Sequence, residues 1–442
     1  MADEKPGKPI PTGRLARVGR LGALAGRIAT SMVTQGAGQW VRGERPQLSS
    51  LLLTPANITR IADQLATMRG AAMKVGQLIS MDGGDFLPPE LAQILARLRE
   101  DAEPMPKAQL IDVLNRQWRE GWQDRLLYFS FAPVAAASIG QVHKVITMEG
   151  ETLAVKVQYP GVKDSIDADV DNVASLIRLS GLIPKDVALN TILDDAKIQL
   201  HQEADYRREA AMLTRYAALC DTSSLFVTPT VHAELTTDTV LAMSYLNGKP
   251  IETLVSAGQA TRNRVMTGLF ELFFQEVFDF KLLQSDPNLA NYRYQAESGK
   301  VELLDFGATR EIPDQISEGY RALLQAAADN NAELMKTTAL ELGLMLDSHT
   351  QLQQDAVVEM GLTACEAIRS DAPYDFGETD LMMRLHTLGM SLTYEHNFWH
   401  VPPADALFIH RKLGGLYLLA KKLGAQVDMR RTAAPWLAPD PK

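Results

Sequence analysis

The sequence predicts an α+β protein of two lobes, a sheet-rich one followed by a helical one, with a helical extension ahead of both. Three observations carry this. From about residue 126 the apolar period shortens towards 2, so LLYFSFAPV, GQVHKVITM and TLAVKVQY read as strands, the last two joined by a turn at Glu149-Gly150-Glu151. A second strand pair, LFVTPTVHAEL and TVLAMSYL, is expected around Thr237-Asp238, ending at Asn247-Gly248. Beyond residue 251 the pattern is helical, broken by short strands at YRY (292–294) and VELLDF (301–306).

Each segment follows from its own residues. Residues 1–50 form a basic arm: up to residue 46, Lys5, Lys8, Arg14, Arg17, Arg20, Arg27, Arg42 and Arg45 face only Asp3, Glu4 and Glu44. RLARVGRLGALAGRIATSM can be drawn as an amphipathic helix, although Arg14 and Arg17 fall in its apolar arc. An anionic membrane surface is one destination for such an arm; packing on the body or a loose tail are the others. Residues 51–125 read as the helical extension, with LPPE at 87–90 marking a turn. The sheet lobe is expected at 126–250 and the helical lobe at 251–442.

At 442 residues, 46% hydrophobic and 22% charged, the chain has the composition of a folded protein. A formal charge of −10 argues against nucleic acid as a partner. Cys220 and Cys365 are too few for a disulfide framework and lack metal-ligand spacing, which suggests core thiols in a reducing compartment. No apolar run approaches the roughly 20 residues of a membrane span. The best, LGGLYLLA at 413–420, is closed by Lys412 and Lys421. A cytoplasmic protein, peripheral on the inner membrane face if the arm binds there, is the expectation.

The chemistry lies in four positions. Phosphoryl transfer needs a cation for the α/β-phosphates, a carboxylate to hold that cation, and oxygen ligands for Mg²⁺. Lys156 in LAVKVQ has the place of the first, though a lone strand lysine is usually a solvated edge. In QSDPNLANYRY, Asp286 and Asn291 stand five apart, as in the catalytic loop of protein kinases, where the Asp faces the nucleophile and the Asn holds metal. LLDFG then places Asp305 at a strand end as the second metal ligand. In order and in the expected elements, the four predict an ATP and Mg²⁺ site on a kinase-like fold.

Three further motifs, MKVGQ at 73–77, AAASIGQVH from Ala135 and EADYRREA at 203–210, make the chain resemble the UbiB family of atypical kinase-like proteins, also called AarF or ADCK, over about residues 50–320. The resemblance implies an atypical protein-kinase-like bilobal fold and a link to ubiquinone biosynthesis. It makes Lys74 and Gln77 the motif of an extension covering the substrate side of the site, with Glu203 and Asp205 near Lys74. It also makes Glu209 the partner of Lys156, and Ala135, Ala136, Ala137, Ser138 and Gly140 the nucleotide loop. On an unbroken helix Glu203 lies about 200° from Asp205, so either the helix is distorted there or only part of the set reaches the phosphates. An exposed charged helix is the plainer reading of that segment.

Alanines in place of glycines keep the loop small but restrict its backbone, so phosphates are expected to be held differently from those in ordinary kinases; taken in isolation, the three alanines read as small residues for tight packing. After Gly307 the chain runs directly towards a helix, with no long activation segment and no APE anchor, which disfavours a docked protein substrate. Met243 and Tyr245 mark the strand expected to offer backbone groups to adenine. His386, His396, His400 and His410 read as satisfied or surface histidines, and Met382, Met383 and Met390 as helix core.

The expected function is a Mg²⁺-ATP ATPase coupled to isoprenoid quinone precursors or their enzymes. Lys156 and Glu209 would position phosphates, Asn291 and Asp305 would hold Mg²⁺, Asp286 would orient water, and Lys74 would serve the site from the extension. A small-molecule phosphotransferase and a nucleotide-gated lipid- or protein-binding module are the alternatives.

Overall fold

In the computed structural model, residues 70–72, 74–75, 104–180, 189–220, 225–286, 288–398 and 400–437 are described. The basic arm, Gln77 and most of the expected helical extension lie outside them. Two compact units result, one from the chain up to Ala211 with Thr230–Tyr245, the other from Met212–Pro229 with the chain from Leu246 onward.

In the first unit, helix α1 (Lys107–Trp118) and a 3-10 turn (Trp122–Arg125) lead into β1 (Leu126–Phe129), β2 (Ala135–Ala136), β3 (Gly140–Thr147) and β4 (Thr152–Gln158). With β6 (Val240–Ser244) these form an antiparallel sheet of order β1-β3-β4-β6, β2 pairing with β3. GQVHKVIT alternates buried and half-buried positions, as the period-2 pattern requires. One sheet face, with Val145, Leu153, Val155 and Val157, packs on Leu110, Val113, Leu114, Trp118 and Trp122. Both indoles keep a polar partner: Trp118 Nε1 donates to Leu235 O at 2.8 Å and Trp122 Nε1 to Asn115 Oδ1 at 3.0 Å. The β3–β4 turn closes at Gly150, φ +85°, as its Glu-Gly-Glu sequence predicts. Helices α2 (Val162–Ser180) and α3 (Leu189–Glu203) follow, and the chain leaves this unit within α4 (Tyr206–Cys220).

The second unit is organised on α5 (Gln259–Phe278), whose segment VMTGLFELFFQEVF is buried almost all round. Strands β5 (Phe226–Val227), β7 (Lys249–Pro250), β9 (Tyr292–Gln295) and β10 (Lys300–Leu303) form a sheet of order β5-β10-β9-β7. Strand β8 (Leu282–Gln284) pairs with β11 (Thr309–Glu311). Helices α6 (Asp314–Ala328), α7 (Ala332–Glu341) and α8 (Gln351–Ala364) build a separate cluster around Met335, Met345 and Val358. Beyond β12 (Tyr374–Asp375) and α9 (Leu381–Met390), helix α10 (Ala404–Leu423), β13 (Gln426–Val427) and α11 (Met429–Leu437) pack α5 from below, with Phe270 against Tyr417 and Phe274 against Trp436.

Several expectations need correction. LFVTPTVHAEL is not one strand. Phe226 and Val227 pair in parallel with β10, and only residues 230–232 return to β6, through the Val231–Met243 bridge; Pro229 removes a donor between them. The stretch after Gly307 contains a short strand before its helix, because Thr309–Glu311 completes the backbone pairing of β8. Of the methionines of α9, Met383 is not core, being 64% exposed, while Met382 and Met390 are half-buried and Leu381 is the buried side chain of that helix.

Candidate active site

Alternation along β4 turns Val155 and Val157 into the α1-covered core and Lys156 to the opposite face, where it is 7% exposed. There Lys156 Nζ meets both carboxylate oxygens of Glu209, at 2.8 and 3.0 Å, with Glu209 only 2% exposed. The Tyr206 ring lies 5.4 Å from the ammonium. This is no solvated edge lysine. A chelated, desolvated ammonium has its position fixed to within a hydrogen bond.

Glu209 can reach Lys156 because the helix carrying it is broken just upstream. Helix α3 ends at Glu203 and α4 begins at Tyr206, with Asp205 Oδ1 accepting the Arg208 N–H at 3.0 Å, the third residue of α4, as an N-cap does. The distorted alternative therefore holds, and the exposed charged helix is overturned by the burial of Tyr206 and Glu209. Released from that helix, Glu203 accepts from Lys74 Nζ at 2.5 Å and from Ser138 Oγ at 2.7 Å. Lys74, Ser138 and Glu203, from three separate motifs, thus form one cluster.

The alanine-rich segment is a tight hairpin. Ala135 and Ala136 pair with Val142 and Gln141, and the Ala137 N–H donates to Gly140 O at 2.9 Å. Glycine is demanded at 140 by packing: a Cβ there would stand 2.3 Å from Val157 O and 3.1 Å from the Tyr206 hydroxyl. Behind the hairpin, the QVH segment forms a chain of hydrogen bonds that the sequence reading passed over. His143 Nδ1 donates to Ser130 O at 2.7 Å, Gln141 Nε2 donates to His143 Nε2 at 2.8 Å, and Gln141 Oε1 accepts the Met105 N–H at 2.8 Å. Each group has one consistent role only if the imidazole is neutral, and burial pushes its pKa down accordingly.

Met243 and Tyr245 lie where expected in sequence, but their backbone is engaged in the sheet. Met243 pairs with Ala154 on one side and bridges Val231 on the other, and the Tyr245 N–H donates to Thr152 O at 2.9 Å. The Tyr245 amide is therefore committed to β4.

In the second unit, Asp286 follows β8 and folds the next turn around itself. Its Oδ1 accepts the Asn288 N–H at 3.3 Å and its Oδ2 accepts Asn291 Nδ2 at 2.9 Å. The Asn291 amide is thereby oriented with its nitrogen towards Asp286, so that its oxygen is the atom that could hold a cation. Asp305 comes directly after β10 and Leu304; its Oδ1 accepts the Gly307 N–H at 2.9 Å, and Phe306 packs 4.9 Å from Tyr216 of α4. Two carboxylates and an amide oxygen are hard donors, the set that Mg²⁺ favours.

Beneath this loop lies an ion pair that no motif announced, Glu276 of α5 and Lys412 of α10, 3.4 Å apart and essentially buried. Its signal in the sequence is weak, since Glu276 shares its apolar run with Glu271 and Lys412 stands beside Arg411. The cysteines read as core thiols are free, and burial pushes Cys220 up to about 12 and Cys365 up to about 11. His400 Nε2 bonds to Gly343 O and His410 Nε2 to the Tyr320 hydroxyl, both at 2.8 Å.

Comparisons with known proteins bear on family and fold. The model of the ABC1 atypical kinase-like domain matches residues 97–339. The protein named atypical kinase COQ8, mitochondrial, of Saccharomyces cerevisiae is 35% identical over 421 residues, covering 95% of this chain and 83% of that one. Atypical kinase COQ8B, mitochondrial, of Rattus norvegicus is 34% identical over 432 residues, covering 97% and 81%. Among solved structures, a Mycobacterium tuberculosis protein in complex with erythromycin shares the fold at a TM-score of 0.61 and 23% identity, over 86% of this chain and 97% of that one. Among the described residues no helix is long and apolar enough to cross a membrane. The chain belongs to the ABC1 atypical kinase family, the UbiB proteins, and is an enzyme of the ATPase and kinase class.

Proposed function

We propose that the protein is a Mg²⁺-ATP-dependent ATPase that supports the handling of isoprenoid quinone precursors, or of the enzymes that act on them. The observation that carries the reading is the buried two-oxygen grip of Glu209 on Lys156, which holds a phosphate-binding ammonium in one place. Asn291 and Asp305 would hold Mg²⁺, which when bound neutralises phosphate charge. Asp286 keeps the Asn291 amide turned and would orient the attacking water. The Ala135–Gly140 hairpin, tied through Ser138 to Glu203 and Lys74, would cover the nucleotide. The likeness to the COQ8 proteins supports the quinone connection.

A small-molecule phosphotransferase is the second reading. It is favoured by the short path from Asp305 to α6, of which Thr309–Glu311 pair with β8, leaving little platform for a protein substrate. The basic arm would carry the protein to an anionic membrane surface, as a peripheral protein.

Phosphate release from Mg²⁺-ATP, with and without anionic vesicles and a phenolic quinone-precursor analogue, tests the reading beside an Asp305→Asn control. Release that rises with lipid or phenol and is lost in the control supports the coupled ATPase. A phosphorylated phenol would replace it with the phosphotransferase, and nucleotide binding with neither phosphate release nor a phosphorylated product under any condition would overturn both.

A further inference from the structure

Lys412 lies in the segment FIHRKLGGLYLL of α10, in the C-terminal region that carries no motif, and is 3% exposed. Its Nζ donates to both oxygens of one residue, the carbonyl of Gln284 at 2.8 Å and the side-chain Oε1 at 2.7 Å. It also faces Glu276 Oε2 at 3.4 Å and lies 5.4 Å from the Tyr292 ring. Gln284 passes the restraint on in two directions. Its own N–H donates to Glu276 Oε1 at 3.2 Å, and its Nε2 donates to the carbonyl of Asp305 at 2.9 Å. Glu276 Oε1 is further fixed by the Tyr216 hydroxyl at 2.6 Å, and Ser285 Oγ donates to Ala308 O at 2.6 Å.

One ammonium therefore grips the residue two before Asp286, and the same residue's amide holds the backbone of Asp305. A buried ion pair seldom stabilises more than apolar side chains of the same volume would, so stability alone does not account for a desolvated lysine here. What an apolar side chain cannot supply is directional donors to both oxygens of Gln284. Burial opposes the charge, but Glu276 and then Tyr292 outweigh it and hold the ammonium above its ordinary range.

We propose that Lys412 is a positioning residue for phosphoryl transfer: through Gln284 it sets the catalytic loop at Asp286 and the metal-binding segment at Asp305 in register. This deepens the ATPase reading and rests on it.

The test is Lys412→Met/Glu276→Gln, which removes both charges and leaves neither buried alone. Amide hydrogen exchange in the nucleotide-free protein should quicken at residues 282–286 and 305–309 while exchange in the Leu110–Trp118 core stays unchanged. In turnover, kcat should fall about 10- to 100-fold with KM for ATP within about threefold, and more Mg²⁺ should be needed for half-saturation. If the double variant does not fold, Gln284→Met keeps the ion pair, removes the link to Asp305, and should quicken exchange at 305–309 with the same kcat loss. Exchange and kcat unmoved in a folded variant would overturn the proposal. Wild-type protein that neither binds nor turns over Mg²⁺-ATP would instead overturn the ATPase reading, so the nucleotide-free measurement tells the two failures apart.

Discussion

Lys74 and Glu203 form an ion pair at 2.5 Å across 129 residues of sequence, and the other oxygen of that carboxylate accepts Ser138 Oγ at 2.7 Å. Their side chains are 6% and 15% exposed, so water does little to screen the pair. Lys74→Ala leaves Glu203 largely buried with its charge uncompensated. We expect a loss of about 1–3 kcal/mol in urea unfolding, together with faster amide exchange at Ala137 and Ile139. Unchanged exchange at the hairpin would mean that Glu203 holds it without the lysine.

The Lys156–Glu209 pair separates structure from chemistry. Breaking a buried pair from one side typically costs about 3–5 kcal/mol, whereas removing both charges is often neutral. Glu209→Gln should therefore destabilise strongly, and Lys156→Met/Glu209→Gln should regain most of that stability while releasing no phosphate. A double variant that retained turnover would remove Lys156 from the mechanism.

Asp286 is proposed to orient the nucleophile, and its carboxylate orders the Asn291 amide. Asp286→Asn preserves shape and removes charge, so phosphate release should fall about 10²–10⁴-fold with melting temperature little changed. A rate within experimental error of wild type would exclude the assignment.

Gly140 stands where no Cβ fits, since Val157 O would lie 2.3 Å away. Gly140→Ala should cost about 1–3 kcal/mol through displacement of the β3–β4 pairing, read as a lowered urea midpoint. A midpoint equal to wild type would show that the strands can part there at no cost.

The neutral His143 makes acid a denaturant. Its folded pKa is lowered below the ordinary 6.5 of the unfolded chain, so below pH 6.5 the unfolded state takes up a proton that the folded state refuses. Its contribution is complete above pH 6.5 and falls as pH drops beneath it, by up to about 1.4 kcal/mol per pH unit. Urea midpoints between pH 7.5 and 5.0 should decline less steeply in His143→Gln; parallel declines would place the sensitivity elsewhere.

Much was legible in the sequence because it rests on local rules. Alternation located β3, β4 and β6, Glu149-Gly150-Glu151 located the turn, and the spacings of Lys156, Asp286, Asn291 and Asp305 pointed to a kinase-like protein. What only tertiary structure decided involves partners far apart in the chain. Whether EADYRREA was an exposed helix or a broken one depended on whether Glu209 had a buried lysine to meet, and no spacing within the motif could say so. The same holds for LFVTPTVHAEL, whose two halves pair with different strands, and for Lys412, which reads as the end of an apolar run until Glu276 and Gln284, more than a hundred residues earlier, are seen around it. Periodicity and turn chemistry are set by neighbours along the chain, whereas the desolvation of a charge, and therefore its need for a partner, is set by what the fold packs over it.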